Sequence, residues 1–264
     1  MIKEVHRSIV FTDSDIDNAE EILMQSDLIS NDIETFPFQK KRKTLPFYMT
    51  VNCYTGLIGD EMYSFCFPYQ TSKSITSGPP SNILRIYEAN RRLNASGIRF
   101  TGQNYVYDLM WLLRYGLPVH NWAYDTMIMF WSLWPELPKT LDFISSVLND
   151  DYQYWKAGRK SEDFEEYCEY GMNDTKETMI NTLKLVDLLN ENPPARHNFT
   201  HGHFRSVVGL AMSACGMRVN LETMKKFEID LTKLADEKIE RLRYLIADPE
   251  FNPNSPKQKH ELLY

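Results

Sequence analysis

The chain carries three short carboxylate patterns whose residue types could do metal-assisted chemistry. Asp32-Ile33-Glu34 lies in a β-prone stretch, and residues two apart on a strand point to one face. Two aligned carboxylates on a buried strand are costly unless a cation neutralises them. Hard oxygen ligands of this kind suit Mg²⁺ or Mn²⁺. Asn104 and Asp108 stand four apart at a helix start that follows a strand, so they share a face. Tyr170 and Asp174 stand four apart inside a long helical stretch and also share a face. Each pattern alone carries little. D-x-E recurs at Asp163 and Glu165 on what reads as a solvated helical face, and N-x-x-x-D recurs at Asn121 and Asp125. An isolated D-x-E is ordinarily an exposed pair. Asn104 by itself reads as a helix N-cap, and Tyr170 with Asp174 as a half-buried phenol beside a surface acid.

These patterns need elements that bring them together. Residues 8–11 read as a strand, and Asp13 and Ser14 offer an N-cap to an amphipathic helix through residue 25. Residues 27–35, 47–54 and 62–69 are β-prone, with Gly56 and Gly59 marking a turn, which predicts a three-stranded meander. Helices dominate afterwards: 82–96, 104–115, 141–148, 162–190, 199–215 and 221–246, with strands expected at 98–101 and 122–126. One mixed sheet flanked by helices follows, an α/β core. Pro193-Pro194 marks the best boundary and divides the chain into domains 1–192 and 193–264.

Composition narrows the class. The 264 residues have 43% hydrophobic and 25% charged side chains, ordinary for a globular protein able to bury a core. A net charge of −7 excludes a basic nucleic-acid coat protein, yet a hydrolytic metal site is itself built from carboxylates. Residues 217–264 are balanced, so the whole excess of acid lies before them. Cys53, Cys66, Cys168 and Cys215 are scattered without a C-x-x-C, against a zinc ribbon, a redox dithiol or a disulfide scaffold. No apolar run is long enough for a signal peptide or a membrane span. The expectation is a soluble cytoplasmic protein with no membrane partner, in the host cytoplasm if a phage encodes it.

In order along the chain, a strand D-x-E, a strand-to-helix N-x-x-x-D and a helical Y-x-x-x-D resemble the tyrosine subtype of the DEDD superfamily of 3′–5′ exonucleases, on a ribonuclease-H-like fold. The flanks Asp32-Ile33-Glu34-Thr35, Gly102-Gln103-Asn104 and Asp125-Thr126-Met127 resemble the proofreading domain of family A DNA polymerases. Pro135-Glu136-Leu137-Pro138-Lys139-Thr140-Leu141-Asp142-Phe143 resembles its phage branch. This likeness covers roughly residues 8–190. A second one covers the C-terminal part. Gly216-Met217-Arg218-Val219-Asn220 before a long helix, then Asn252-Pro253-Asn254-Ser255-Pro256-Lys257-Gln258, resembles the start of a polymerase domain and its thumb. Palm and fingers motifs are absent, so the expectation is a fragment of a longer polymerase or a split gene, without DNA synthesis by this chain. Leu221, Met224, Phe227, Leu231, Leu234, Leu242 and Leu245 form an apolar stripe, so residues 216–264 are expected to be a docking arm for a separate polymerase chain, or else loosely packed or self-associated.

The resemblance implies roles. Phosphodiester hydrolysis needs an activated water and a stabilised leaving oxygen, which two divalent cations, Mg²⁺ or Mn²⁺, about 3.5–4 Å apart can serve. Asp32 would bridge both, Glu34 and Asp174 would complete the first site, and Asp108 would hold the second through water. Tyr170 would orient the attacking water; a phenol with a pKa near ~10 is a poor base. Asn104 would position the turn or the substrate, a single-stranded DNA 3′ end, with Thr35 and Phe36 beside it. Phe36 is a stacking face or else a core or loop aromatic. Lys40–Lys43 touch phosphates or else form a solvated run. Lys156 approaches a phosphate or is a surface lysine. Trp111, Trp131 and Trp134 read as core rather than base-stacking platforms, and His197, His201 and His203, whose spacing could hold a metal, read as surface. Two competing readings are a ribonuclease-D-like enzyme acting on RNA ends and a non-catalytic module binding a strand or a partner.

Overall fold

The computed structural model describes residues 4–37, 47–72 and 78–263. The chain runs β1 (Glu4–Ile9), α1 (Asp13–Leu23), β2 (Leu28–Pro37), β3 (Phe47–Ile58), β4 (Glu61–Pro68), α2 (Ile83–Asn94), β5 (Arg99–Gly102), α3 (Val106–Arg114), β6 (Trp122–Asp125), α4 (Thr126–Leu133), α5 (Leu141–Leu148), α6 (Phe164–Glu191), α7 (Pro193–Cys215), α8 (Leu221–Ile246) and α9 (Pro256–Leu263). The six strands form one sheet in the order β1-β4-β3-β2-β5-β6. The expected meander is β2-β3-β4, paired antiparallel, while β1 joins parallel to β4 and β5 and β6 add in parallel beside β2.

Strand alternation sorts the sheet into two faces. Ile29 and Ile33 of β2 pack with Tyr54, Phe67 and Phe100 under α1, α2 and α3. Their neighbours point the other way, toward α6, where Thr55 meets Thr175 and Thr50 meets Tyr167 through hydroxyl hydrogen bonds. Asp32 and Glu34 belong to this second set, so the register that buries Ile33 aims both carboxylates at α6. A one-residue slip would exchange the two sets.

Several boundaries differ from expectation for local reasons. The cap of α1 is Thr12, not Asp13 or Ser14: its hydroxyl accepts from the Asp15 N–H, and the Asp15 carboxylate accepts from the Thr12 N–H. That reciprocal pair satisfies two donors at once. Helix α4 was not foreseen, because Thr126–Leu133 is apolar on nearly every side and gives no helical stripe. Pro193 and Pro194 do not precede a loop. They open α7, whose first turn needs no backbone donors. Ala195 then packs beside Leu185 and Leu189, the Phe199 ring lies 6.3 Å from Tyr124, and the His203 ring lies 4.5 Å from Trp122. The first compact unit accordingly runs through Ala214, past the expected boundary at residue 192, and the second is Cys215–Tyr264.

In the second unit α8 spans the expected residues, capped by Asn220, whose side chain accepts from the Glu222 and Thr223 N–H groups. No residue of α8 is buried, and Leu221, Met224, Phe227, Leu231, Leu234 and Leu245 are all exposed.

Candidate active site

The site begins with a close approach of α6 to the sheet. Gly171 lies against β3, where a Cβ would stand 2.7 Å from the Cys53 sulfur. Cys53 pairs with Asp32 across β2 and β3. Glycine at 171 therefore lets α6 settle onto the strands and sets Tyr170 and Asp174 beside the acidic end of β2. Carboxylate oxygens of Asp32, Glu34 and Asp174 all lie within 4.8 Å of one another. Asp108 reaches the same place from α3, and one of its oxygens accepts from the Ile33 N–H at 3.1 Å. All four carboxylates and Tyr170 line one cavity of about 640 Å³, with Thr35, Asn104, Tyr107, Lys139 and Lys156 also on its wall.

Crowding of like charge in a poorly solvated place shifts these groups. Burial, then the charges of Asp108, Asp174 and Glu34, raises Asp32 well above the usual carboxylate range, while Lys156 opposes the shift. Burial likewise raises Asp108, against the pull of the Ile33 N–H. Burial and the negative charges of Asp174, Glu34 and Asp32 push the Tyr170 phenol far up, so it stays protonated and serves as a hydrogen-bond donor.

The structure also supplies a cation. Lys156 opens a short 3-10 helix, Lys156–Lys160, and its ammonium lies 2.8 Å from both oxygens of Asp174 and 3.3 Å from the Tyr170 hydroxyl. The Trp155 indole N–H donates to the same carboxylate. Neither residue is on the surface as expected of Lys156, which is 22% exposed. Three clustered acids, one of which already holds an ammonium, form a donor set of hard, negative oxygens, which fits a divalent metal ion.

The remaining expected residues are placed as follows. Asn104 is not an N-cap. Its φ of 53° puts it in the left-handed region, which asparagine tolerates, and its N–H donates to Asp125. Thr35 shares a hydrogen bond of 2.8 Å with the Tyr107 hydroxyl. Phe36 pairs with Tyr48 at the end of β2, its side chain lying outside the described residues, as do Lys40–Lys43 altogether. Trp111 is core as expected, and Trp134 is half-buried against Phe130, whereas Trp131 is 43% exposed. His197 and His201 are exposed as expected, but His203 turns inward onto Trp122, and burial lowers its pKa.

Asp125, part of the Asp125-Thr126-Met127 flank, has a role that the sequence reading does not assign. It accepts from the N–H groups of Asn104 and Tyr105 and of Met127 and Ile128, so one carboxylate caps α4 and fixes the turn before Asp108. Burial nevertheless raises it to about 6. Its position at a strand-to-helix junction was the available signal.

No protein-family model matches the chain, and no curated protein matches it. Solved structures do. The catalytic core of RRP6 from Trypanosoma brucei aligns with a TM-score of 0.53 at 17% identity, over 78% of this chain and 52% of that one. RNase D from Escherichia coli, an exoribonuclease involved in structured RNA processing, aligns with a TM-score of 0.52 at 14% identity, over 76% of this chain and 50% of that one. The fold is of the ribonuclease D type. The POL domain of Pol1 from M. smegmatis, in complex with DNA primer-template and dNTP, aligns with a TM-score of 0.64 at 11% identity. That alignment covers 99% of this chain and 40% of the polymerase chain. The chain thus spans about half the length of the first two and less of the third. No helix among the described residues is long and apolar enough to cross a membrane.

Proposed function

We propose that the first unit is a 3′–5′ exonuclease that removes 5′-mononucleotides from single-stranded DNA. The observation that carries this is the convergence of Asp32, Glu34 and Asp174 within 4.8 Å beside Asp108 and Tyr170. In this reading Asp32, Glu34 and Asp174 hold one divalent cation, Mg²⁺ or Mn²⁺, and Asp32 and Asp108 hold a second. When bound, such a pair acidifies the attacking water and neutralises charge on the leaving 3′-oxygen. Tyr170 donates its hydroxyl hydrogen bond to orient that water; kept protonated by its surroundings, it does not act as the base. Asn104 and Thr35 border the cavity where the terminal nucleotide lies.

We assign this activity a proofreading role in a phage-type family A polymerase. Two observations support it: the alignment with a polymerase domain over 99% of the chain, and the exposed apolar stripe of α8. In this role residues 216–264 pack against polymerase surfaces, in the same chain or in a separate one.

The test is digestion of a 5′-labelled single strand with Mg²⁺ or Mn²⁺, DNA and RNA of one sequence side by side. A ladder shortening one nucleotide at a time from the 3′ end is expected, faster on DNA. Faster digestion of RNA would reassign the substrate to RNA ends. If Asp32→Ala with Glu34→Ala digests as fast as the parent, the site is wrongly assigned.

A further inference from the structure

A second groove lies beside the carboxylate cavity, between α4 and α7. It encloses about 470 Å³ and is lined mainly by Met127, Ile128, Trp131, Lys139, Gly202 and Arg205. Met127 and Lys139 line the carboxylate cavity as well, so the two spaces share a wall. At Gly202 the two helices approach closely: a Cβ there would stand 3.0 Å from the Ile128 Cγ2. The groove's chemistry differs from that of its surroundings. The chain has a net charge of −7, yet both charged residues on this lining, Lys139 and Arg205, are basic. The Lys139 ammonium is tied to the Pro135 and Leu137 carbonyls, which fixes its charge where the two spaces meet. Trp131 is 43% exposed, although Met129, Phe130 and Ser132 around it on α4 are buried. Arg205 is exposed on α7.

An open indole face and a guanidinium beside an apolar floor are the means by which proteins hold single strands, bases stacking on the ring and phosphates meeting the cation. We propose that this groove binds the single strand upstream of its 3′-terminal nucleotides, with a base on Trp131 and a phosphate at Arg205. The proposal rests on the exonuclease reading and extends it, because it names how the strand leaves the site. An apolar peptide would fill the floor too, but it would leave both cations unused and would gain nothing from the shared wall.

The experiment uses the full chain carrying Asp32→Asn, to prevent digestion, and measures the affinity of labelled oligonucleotides by fluorescence anisotropy. DNA and RNA oligomers run from a dinucleotide to an octanucleotide. The octamer should bind tighter than the dinucleotide. Trp131→Ala should weaken octamer binding by roughly 5- to 150-fold, as loss of a base–aromatic stack does, and Trp131→Phe should restore most of it. Arg205→Gln should flatten the salt dependence of octamer binding by about one phosphate contact. A photoreactive base placed a few nucleotides from the 3′ end should cross-link to α4. Trp131 and Arg205 are exposed, so unchanged thermal unfolding serves as the fold control. If both variants bind the octamer as the parent does, or the cross-link falls outside α4 and α7, the groove does not hold the strand. If the parent binds strands of neither length, the exonuclease reading itself is overturned.

Discussion

Replacing Asp32 by asparagine should abolish hydrolysis and yet stabilise the metal-free protein. Asp32, Glu34 and Asp174 bring carboxylate oxygens within 4.8 Å of one another. At an effective dielectric near ~20, two full charges at that distance repel by about 3.5 kcal/mol. Asp32 is only half-buried and Lys156 offsets part of the field, so a gain of about 2–3 kcal/mol is expected above neutral pH. That corresponds to roughly 4–12 °C in Tm for a chain of this size. The sign with pH follows from linkage. The folded-state pKa of Asp32 lies above its unfolded value, so the folded parent holds a proton that the unfolded chain releases. Stability is therefore fully present below the unfolded pKa of about 3.9. It falls by up to ~1.4 kcal/mol per pH unit as pH rises toward the folded pKa, then levels off. Asparagine carries no such cost, so its advantage should be absent near pH 4 and grow to a plateau. Thermal unfolding of both proteins in chelator, from pH 4 to pH 9, measures it. Adding Mg²⁺ or Mn²⁺ should raise the Tm of the parent more than that of the variant. A variant that melts at or below the parent at pH 8, or an advantage that does not grow with pH, would refute the electrostatic account.

Tyr170→Phe should leave Tm and metal-induced stabilisation nearly intact but slow single-turnover hydrolysis by roughly 10²- to 10⁴-fold, because only the orienting hydroxyl is lost; an unchanged rate removes Tyr170 from the chemistry. Lys156→Ala should destabilise the metal-free protein by about 1–3 kcal/mol, discounted from the cost of breaking a fully buried pair because the lysine is 22% exposed. Added Mg²⁺ should recover more of that loss than it adds to the parent, which calorimetry with and without metal would detect. Gly171→Val should cost about 1–3 kcal/mol or more by overpacking, since even a Cβ meets the Cys53 sulfur at 2.7 Å; an unchanged Tm would mean that α6 can lift off β3 freely.

Local chemistry in the sequence determined a good deal. The alternation through Asp32-Ile33-Glu34 fixes both carboxylates on one face whatever packs there, because strand geometry has a period of two. The four-residue spacing of Tyr170 and Asp174 does the same on α6. The strands of the meander and the extents of α5 and α8 were legible because turn residues and apolar periodicity agree at those places. Other features depended on partners far away in the chain, to which no short window is sensitive. Helix α4 has no polar face because it is covered from several directions, so its period is invisible. Asn104 looks like a cap by type, but the Asp125 carboxylate takes over the local N–H groups and leaves Asn104 to turn the chain. Trp131 is of a residue type usual in cores, and only the packing of α7 within the first unit leaves its ring beside an open groove. Lys156 reads as a surface lysine until the approach of α6, made possible by Gly171, brings Asp174 under it. The sequence carried the ligand types and their spacing; the tertiary contacts decided which cations and donors meet them, because a charge responds to everything within a few ångströms, however distant along the chain.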